Sequence, residues 1–410
     1  MNIAVIGGGA SGMMASIMLA KNGHNVTLFE KNNMLGKKLL ITGKGRCNVT
    51  NNTTGTEFLN NIVRGSQFLR SAENSFNSSD TIEFFKALGV ELKVERGNRV
   101  FPVSDKAVTI LNALIHALKE NNVNVKLNSK ITAIEINGDN AIGVILNNYL
   151  YNFDAIIVAT GGLSYSGTGS TGDGYNFAKL AGHTIIDLKP ALNGIEIAGN
   201  ECAKLEGLSL KNVKIYAYNE NNAVFESEIG EMLFTNVGIS GPLVLTMSSY
   251  INRKNVQKII IDFKPALSME QLHKRIDRII EDNSTKQFSS LLGQLLPKRL
   301  IQIFAKRLNI QLNTKINQLT RNERQRLIDL LKHFELIFKC IEPIETSVIT
   351  SGGVNLKEIN PKDMSSKIIK NLFFIGEVLD IDALTGGFNL QIAFSTAVSC
   401  ANSNYFKGEK

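Results

Sequence analysis

The 410-residue chain carries 45 Lys and Arg residues against 37 Asp and Glu, a formal net charge of +8, and 43% of its residues are apolar. This length and composition are typical of a globular protein with two or more domains and a sizeable core. No apolar run reaches the ~18 residues that a membrane-spanning helix needs. The first twenty residues already spell a folding motif, with no basic segment ahead of it. We therefore expect a cytoplasmic protein without a signal peptide or a membrane-spanning helix.

The chain begins with the pattern of a buried strand, a glycine turn, a helix and a second strand. Gly7, Gly9 and Gly12 form G-x-G-x-x-G, in which the first glycine permits the turn, the second lets backbone approach a pyrophosphate, and the third allows close helix packing. Glu30 ends the second strand, 18 residues after Gly12, close to the spacing of a carboxylate that binds a ribose hydroxyl. The stretch therefore predicts a dinucleotide site. Its predicted contact residues are Gly7, Gly9, Ala10, Ser11, Gly12, Glu30 and Lys31.

A segment rich in Gly, Lys and Asn follows over residues 36–55, and its composition predicts no regular element. Long irregular segments inside compact domains are commonly functional, and this one leaves the sheet edge where ligands bind in doubly wound folds. Its glycines allow the backbone to lie against a ligand, and its basic side chains would place positive charge beside a pyrophosphate. The predicted cofactor residues here are Lys37, Lys38, Thr42, Gly43, Lys44, Gly45, Arg46, Cys47 and Asn48.

Another buried strand is predicted over residues 153–159, and it runs into Thr160, Gly161 and Gly162. A second formal G-x-G-x-x-G lies within residues 167–172, several residues beyond that strand. No clean strand ending in an acid follows it at the right distance. We therefore do not expect a separate nicotinamide-binding Rossmann site there.

The sequence pattern changes near residue 189. Residues 194–263 alternate in the manner of antiparallel strands, and residues 268–338 predict helices almost throughout. We therefore predict an α/β protein whose first domain is discontinuous. An inserted α+β domain, β-barrel-like in its first part and helical in its second, would serve as the substrate or cap domain. The predicted ranges are 1–188 and 346–410 for the first domain and 189–345 for the insertion.

Cysteine spacing and charge distribution exclude several classes of site. The four cysteines are far apart, with no C-x-x-C pair and no Cys/His cluster, so we expect neither a disulfide framework nor a metal site. Lys and Arg are scattered, apart from a modest concentration between Arg253 and Lys339 with few aromatics interleaved. That pattern favours a solvated basic face over nucleic-acid binding.

Several motifs together resemble those of the YhiN/BaiN-like flavoproteins, the aminoacetone oxidase family of FAD-binding enzymes. The resemblance spans the whole chain and includes an inserted domain at the same place. Its specific stretches are GKGRCNVTN and TGGFNLQ. The motifs are GGGASGMMAS at the start, GKKLLITGKGRCNVTN at 36–51, ATGGLSYSGTGSTGDGY at 159–175, TSGGV at 350–354 and GEVLDIDALTGGFNLQIAFSTA at 376–397.

The resemblance implies a glutathione-reductase-type fold that binds FAD non-covalently in an extended form. ADP would lie on the first glycine turn with Glu30 on its ribose, and residues 36–48 would follow the pyrophosphate to the isoalloxazine. Glu377 would take a ribityl hydroxyl or a bridging contact, and the start of the last helix would lie at the pyrimidine edge of the flavin. The residues that the resemblance adds to the cofactor site are Ile131, Thr160, Gly161, Gly162, Gly376, Glu377, Gly387, Asn389, Leu390 and Gln391.

The resemblance also implies an FAD-dependent oxidoreductase. NAD(P)H would reduce the flavin as a transient co-substrate, and the flavin would pass hydride to a small or medium organic acceptor such as an enone. Two alternatives stay open: an oxidase of a small amino ketone, and a flavin-bearing protein that binds or modifies RNA. No general acid or base stands out. Cys47 is a minor candidate, because Lys44 and Arg46 would lower the pKa of its thiol but no second cysteine is near it in sequence.

Overall fold

Two compact units make up the chain in the computed structural model, which describes residues 1–220 and 222–407. The first unit comprises Met1–Ala191 and the segment from Ile344 onward, and the second comprises Leu192–Pro343. The chain therefore leaves the first unit once and returns to it. The observed boundaries fall at 191/192 and 343/344, where the sequence pattern predicted 188/189 and 345/346.

Five parallel strands form the central sheet of the first unit. Asn2–Ile6 and Ala155–Val158 lie at its centre, and their apolar side chains are fully buried or nearly so, as expected for parallel strands covered on both faces. An edge strand comes from beyond the insertion, so the returning chain completes the sheet. This sheet confirms the predicted α/β fold. The spatial order is Leu372–Phe374, Ala155–Val158, Asn2–Ile6, Asn25–Phe29 and Asn124–Lys126.

Helices and small antiparallel sheets surround this sheet. The helices Ala10–Lys21 and Phe388–Ala401 pack against each other, and both are apolar on most of their circumference, which is typical of buried helices. The other α-helices of the unit are Lys37–Ile41, Gly55–Leu59, Ser66–Ser75, Ser78–Ala87, Ala107–Glu120, Asp173–Leu180 and Asn404–Lys407. Its other strands are Thr50–Asn51, Ile62–Arg64, Leu92–Glu95, Arg99–Pro102, Ile131–Asn137, Asn140–Leu146, Tyr149–Asn152, Ile185–Ala191, Ile349–Val354 and Asp382–Ala383.

Six antiparallel strands of the second unit close into a barrel. Each strand pairs with the next around the ring, and Ser209–Tyr218 closes it by pairing with Lys258–Asp262. A seventh strand, Ala223–Glu226, pairs with the carboxyl-terminal part of Ser209–Tyr218. The β-barrel-like part of the prediction is therefore confirmed. The ring order is Ser209–Tyr218, Gly230–Phe234, Gly238–Ser240, Ile195–Ile197, Phe334–Ile341 and Lys258–Asp262.

Helices form the rest of the second unit, and two of them begin with capping boxes. Ser268 caps one with Gln271, and Thr320 caps another with Glu323, so backbone donors at both starts are satisfied. The predicted helical region is wrong at its end, because Phe334–Ile341 is a strand of the barrel. Its first four residues alternate between buried and exposed, a period of two that helices do not show. The helices are Glu201–Lys204, Pro242–Ile251, Met269–Asp282, Phe288–Leu295, Lys298–Leu308 and Arg321–Lys332.

No helix within residues 1–220 and 222–407 is both long enough and apolar enough to cross a bilayer. The same part of the chain contains no group of three or more His, Cys, Asp or Glu side chains arranged to hold a metal ion.

Candidate functional site

A cleft lies at the carboxyl ends of the central strands of the first unit. Its volume is about 1310 Å³, including the solvent at its mouth. The residues that follow three neighbouring strands, 7–11, 30–32 and 159–161, line it together. This is the edge where doubly wound sheets bind their ligands.

Each of the three glycines of the first turn is glycine for a different structural reason. A Cβ on Gly12 would stand 1.9 Å from the carbonyl oxygen of Gly7, so this glycine lets the helix approach the strand. Gly7 has φ +111° and would place a Cβ 2.5 Å from the oxygen of Ala159. A Cβ on Gly9 would meet no protein atom within 4 Å, and Gly9 lines the cleft. The free space over Gly9 is therefore a cradle for a ligand.

The helix Ala10–Lys21 points its N-terminus into this cradle. Gly9 is its N-cap and offers no side-chain hydrogen bond, and the first turn contains no acidic residue. The first N–H groups of a helix have no partner inside it, and Ala10 and Ser11 line the cleft. An anion is favoured at such a place by the free donors and by the helix dipole.

The Glu30 carboxylate is held in the cleft wall by backbone and side-chain donors. Its Oε2 accepts the N–H of Gly8 at 2.8 Å, and its Oε1 accepts the backbone and side-chain N–H groups of Asn32 at 2.8 and 2.7 Å. Glu30 is 8% exposed and lines the cleft. Because each carboxylate oxygen has two acceptor positions, the group keeps capacity for a ligand hydroxyl.

Lysines from two segments add positive charge to the cleft wall. The Lys31 ammonium lies 2.6 Å from Asp173, and the Lys37 ammonium donates to the side-chain oxygen of Asn32 at 3.1 Å. Lys38 donates to Glu377 and to the hydroxyl of Ser164, each at 2.6 Å. All three lysines line the cleft, and so do Asp173 and Glu377. Lys31 and Lys38 are therefore neutralised by their partners, whereas Lys37 forms no ion pair among the described residues. Its charge suits a ligand with negative charge.

Glu377 connects four parts of the chain at this wall. It follows the strand Leu372–Phe374, and besides Lys38 its carboxylate accepts the Ser164 hydroxyl at 2.8 Å and the N–H of Thr350 at 3.0 Å. These bonds hold the carboxylate in one orientation. Glu377 is thus both a cleft residue and a structural junction.

The last helix, Phe388–Ala401, also presents its N-terminus to the cleft. Its N-cap is Gly387, with φ +100°, where a Cβ would lie 2.4 Å from the backbone of Thr50. Asn389 and Leu390 line the cleft. The Asn389 amide accepts from the N–H of Ala383 and donates to its carbonyl, both at 2.9 Å, and so positions the turn before the helix.

Gln391 does not have the role expected for its side chain. It is fully buried and does not line the cleft. Its Oε1 accepts the hydroxyls of Thr50 and Thr81 at 2.6 and 2.7 Å. Its Nε2 donates to the carbonyl of Phe76 and the hydroxyl of Ser395 at 3.2 and 3.0 Å. All four hydrogen-bonding positions of the amide are filled, so this side chain braces the fold.

Residues 36–48 also differ from expectation. The segment is regular only at its start, where Lys37–Ile41 forms a short helix. Gly43 and Lys44 adopt left-handed backbone conformations, with φ +56° and +58°, which change the direction of the chain. Lys37, Lys38 and Thr42 line the cleft, whereas Lys44 and the residues after it do not.

The surroundings of Arg46 and Cys47 contradict the expectation that basic neighbours lower the pKa of the Cys47 thiol. The Arg46 guanidinium pairs with Glu95 and Asp105 and lies 4.1 Å from the centre of the Phe101 ring. Cys47 is fully buried, and desolvation raises the pKa of its thiol to about 12 although Thr42 acts in the opposite direction. Basic neighbours do not activate Cys47, and at neutral pH it is a thiol.

The cleft brings together fifteen of the predicted cofactor residues. They are Gly7, Gly9, Ala10, Ser11, Glu30, Lys31, Lys37, Lys38, Thr42, Ile131, Thr160, Gly161, Glu377, Asn389 and Leu390. The predicted residues outside its lining are Gly12, Gly43, Lys44, Gly45, Arg46, Cys47, Asn48, Gly162, Gly376, Gly387 and Gln391.

Sequence reasoning missed part of the wall formed by Thr168, Gly169 and Ser170. This stretch belongs to the second G-x-G-x-x-G, which we considered only as a separate nicotinamide site. Asn32 was also missed, and its amide donates to the carbonyl of Thr168 at 3.1 Å while it holds Glu30. The available signal was the cluster of small residues soon after a buried strand, which is where parallel sheets bind ligands.

The donor set of the cleft fits an extended dinucleotide. The open space at Gly9, the free N–H groups of the first helix and the lysines suit a pyrophosphate. Glu30 suits a ribose, and Ile131 offers an apolar contact for a base. The N-terminus of the last helix suits the electron-rich edge of a second ring system. Fold and cleft thus define a dinucleotide-binding protein of the Rossmann class.

Comparison with known proteins gives the family. The model of the HI0933-like protein Rossmann domain matches residues 1–403, so the chain belongs to this family of FAD-binding Rossmann proteins. It is an FAD-dependent oxidoreductase. The resemblance to the YhiN/BaiN-like flavoproteins is confirmed.

Two curated relatives are similar over nearly their whole length. The 3-dehydro-bile acid delta(4,6)-reductase of Clostridium scindens is 29% identical, covering 96% of this chain and 96% of its own. The ribosomal RNA dihydrouridine synthase of Haemophilus influenzae is 31% identical, covering 97% of each. Among solved structures, Sdh1 of Mycobacterium smegmatis in its apo complex has a TM-score of 0.51 at 16% identity, covering 99% of this chain and 68% of that one. That likeness is one of fold.

Proposed function

We propose that the protein reduces a carbon–carbon double bond conjugated to a carbonyl group, with NAD(P)H as the source of hydride for the bound FAD. The full-length likeness to two curated relatives carries this proposal. One is named for reducing the 4,6 double bonds of a 3-dehydro bile acid, and the other for forming dihydrouridine in ribosomal RNA. By these names, each reaction saturates a double bond conjugated to a carbonyl. The substrates differ and the chemistry is shared.

The cysteines support transfer to the acceptor without a thiol relay. All four are free. Burial raises the pKa of Cys47 to about 12 and that of Cys202 to about 11, and it also raises the pKa values of Cys340 and Cys400. Since the thiolate is the reactive form, none of the four is a candidate for shuttling electrons at neutral pH.

FAD, when bound, supplies the hydride chemistry. The first-turn N–H groups and Lys37 would hold its pyrophosphate, and Glu30 its adenosine ribose. Lys38 is fixed in the cleft wall by Glu377 and Ser164, and the Glu377 carboxylate balances its charge. The N-terminus of the last helix adds partial positive charge at Asn389 and Leu390, which favours negative charge on a bound group.

The architecture of the second unit supports a nicotinamide that binds transiently. Every pairing between its strands is antiparallel. Among its described residues there is therefore no parallel strand–helix–strand unit of the kind that holds a second dinucleotide.

The first test is the reductive half-reaction. The FAD-loaded protein is mixed without oxygen with NADH or NADPH in a stopped-flow instrument, and the visible absorption of the flavin is followed. We expect one of the two nicotinamides to bleach the flavin within the time of a turnover. If neither does, and an amino ketone bleaches it and yields hydrogen peroxide in air, the protein is an oxidase and the proposal is wrong.

A second candidate function is the same chemistry with a uracil base of RNA as the acceptor of hydride. Its support is the dihydrouridine synthase relative at 31% identity, together with the charge of the second unit. Residues 192–343 contain 21 Lys and Arg residues and 16 Asp and Glu, so most of the net positive charge lies there. Ribosomal RNA without the modification, incubated with protein and NAD(P)H, would gain dihydrouridine in a nucleoside mass spectrum. Reduction of a cyclic enone with no gain in the RNA would restrict the protein to small acceptors.

A further inference from the structure

A second cleft lies entirely within the second unit. Side chains of the short helix Glu201–Lys204 and of the helix Lys298–Leu308 line it. Four of the lining residues are cations and one is an acid. These five residues are Lys204, Lys298, Arg299, Lys306 and Glu201.

The acid in this cleft does not neutralise its cations. Glu201 pairs with Arg307, whose Nε lies 3.1 Å from Oε2. Arg307 is itself outside the lining, and its guanidinium lies 3.8 Å from the centre of the Phe334 ring. The negative charge of Glu201 is therefore taken up from the side, and the lining keeps its positive charge.

The cations of the cleft have no acidic partners among the described residues. Lys204, Lys298 and Lys306 are exposed and form no ion pair there. Arg299 is held by neutral acceptors, the carbonyl oxygens of Glu206 at 2.6 Å and of Lys204 at 3.1 Å, so its position is fixed and its charge remains. Elsewhere in the unit many lysines are paired: Lys214 with Glu226, Lys258 with Glu335, Lys332 with Asp262 and Lys339 with Glu196.

Two of the cations lie in a row along one face of the helix Lys298–Leu308. Lys298, Gln302 and Lys306 are four residues apart and lie on the same face. With a rise of 1.5 Å per residue, Lys298 and Lys306 are about 12 Å apart along the axis. The helix also begins with two cations, has no acid in its first turn, and receives no side-chain cap from Pro297. Positive charge is unfavourable at that end of a helix, and a bound anion would offset it.

We propose that this cleft binds the sugar–phosphate backbone of an RNA strand. The inference rests on the RNA form of the proposed function. An extended polyanion fits better than a single phosphate, because the charges are spread along the helix and are exposed. Contacts of Lys and Arg with phosphates release counterions, so the binding must weaken steeply with salt.

The test uses the full-length, FAD-loaded protein and a labelled single-stranded RNA of mixed sequence. Binding is measured by fluorescence anisotropy between 50 and 200 mM salt. The test variant is Lys204→Gln, Lys298→Gln and Lys306→Gln together. The control variant loses the same charge from exposed lysines of the same unit that do not line the cleft and form no ion pair within the described part of the chain: Lys211→Gln, Lys286→Gln and Lys315→Gln. Retained flavin absorption and circular dichroism establish that both variants fold.

Three lost phosphate contacts reduce the slope of log Kd against log salt by about 2 for a single strand. Across this fourfold range of salt, wild type and control should therefore lose about 16-fold more affinity than the test variant. Equal slopes for the two variants would overturn the proposal, because the charge would then act diffusely. Absence of RNA binding by wild type at 50 mM salt would also overturn it.

A parallel binding measurement with vesicles of phosphatidylserine separates RNA from a membrane surface. Tighter binding of wild type to the vesicles than to RNA at equal salt would assign the cleft to anionic lipid and overturn the RNA proposal. Reduction of the flavin by NAD(P)H and turnover of a cyclic enone are measured on the same samples. Both should be unchanged in the test variant, so that a failure of the cleft is distinguishable from a failure of the proposed reductase activity.

Discussion

Two clefts, one in each unit, contain lysines, but the charges of these lysines are balanced differently. In the first unit Lys31 and Lys38 each lie 2.6 Å from a carboxylate, of Asp173 and Glu377, and these side chains are 14–24% exposed. In the second unit the cleft lysines are exposed and have no carboxylate partner among the described residues. Paired, partly buried cations are held in place for a ligand that stays. Unpaired cations on a surface suit a charged partner that exchanges, and that binding is screened by salt.

We expect the largest effect from Gly12→Ala, which disturbs the glycine turn at the base of the first cleft. In Gly12→Ala the new Cβ would stand 1.9 Å from the oxygen of Gly7, so the helix Ala10–Lys21 must shift from the sheet. Overpacking of this kind costs about 3 kcal/mol. We expect that loss in the free energy of unfolding measured with urea, together with loss of bound FAD. Unchanged stability with full FAD content would contradict the close-packing role of this glycine.

Gly9→Ala separates cofactor binding from folding. The new Cβ meets no protein atom within 4 Å and the residue has φ −80°, so stability of the apoprotein should change by less than about 1 kcal/mol. The methyl group would instead occupy the cradle where we expect the pyrophosphate. FAD affinity, measured by fluorescence titration of the apoprotein, should fall about 100-fold, or about 2.7 kcal/mol. Equal affinity in the variant and the wild type would place the pyrophosphate elsewhere.

The ion pair between Lys38 and Glu377 tests whether the lysines of the first cleft are paired in solution, unlike those of the second cleft. Lys38→Met leaves a partly buried carboxylate with two of its three donors, and Glu377→Gln leaves the ammonium without its anion. We expect each change to cost about 1–2 kcal/mol of stability, between the values for exposed and buried pairs. A double-mutant cycle by urea unfolding should give a coupling energy of about 1 kcal/mol. Additive losses would mean that the pair is not formed in solution.

The smallest expected effect concerns Cys47. With a pKa of about 12, only about one thiol in ten thousand is ionised at pH 8. Cys47→Ala should therefore leave the rate of flavin reduction within about twofold of wild type, and iodoacetamide at pH 8 should not inactivate the protein. If iodoacetamide inactivated the wild type rapidly and Cys47→Ala prevented this, the Cys47 thiol would have a role in the reaction.

Local chemistry made the base of the first cleft predictable. Gly7, Gly9 and Glu30 are set by a strand, a turn and a helix that lie within thirty residues of one another, and the structure brings all three to the cleft. The α/β fold class followed from the same pattern of apolar runs, and the strands of the insertion followed from the alternation of apolar and polar residues.

Long-range partners explain what the sequence could not predict. Arg46 leaves the cleft because Glu95 and Asp105 hold it. Gln391 is turned inward by Thr50 and Thr81, which lie more than 300 residues away in the chain. The residues next to Arg46 and Gln391 in sequence do not indicate that these distant acids and hydroxyl groups will contact them. The strand Phe334–Ile341 was likewise mistaken for a helix, because its conformation depends on two strands of the barrel that come earlier in the chain.

The oxidative half-reaction tests the central claim most directly. The FAD-loaded protein is reduced without oxygen and mixed in a stopped-flow instrument with a cyclic enone, with the matching saturated ketone, and with unmodified ribosomal RNA. We predict that a conjugated acceptor, the enone or the uracils of the RNA, restores the flavin absorption and is recovered with two added hydrogens. The saturated ketone should leave the flavin reduced. If no conjugated acceptor reoxidises the flavin and oxygen does so rapidly, the protein is not a reductase of this class.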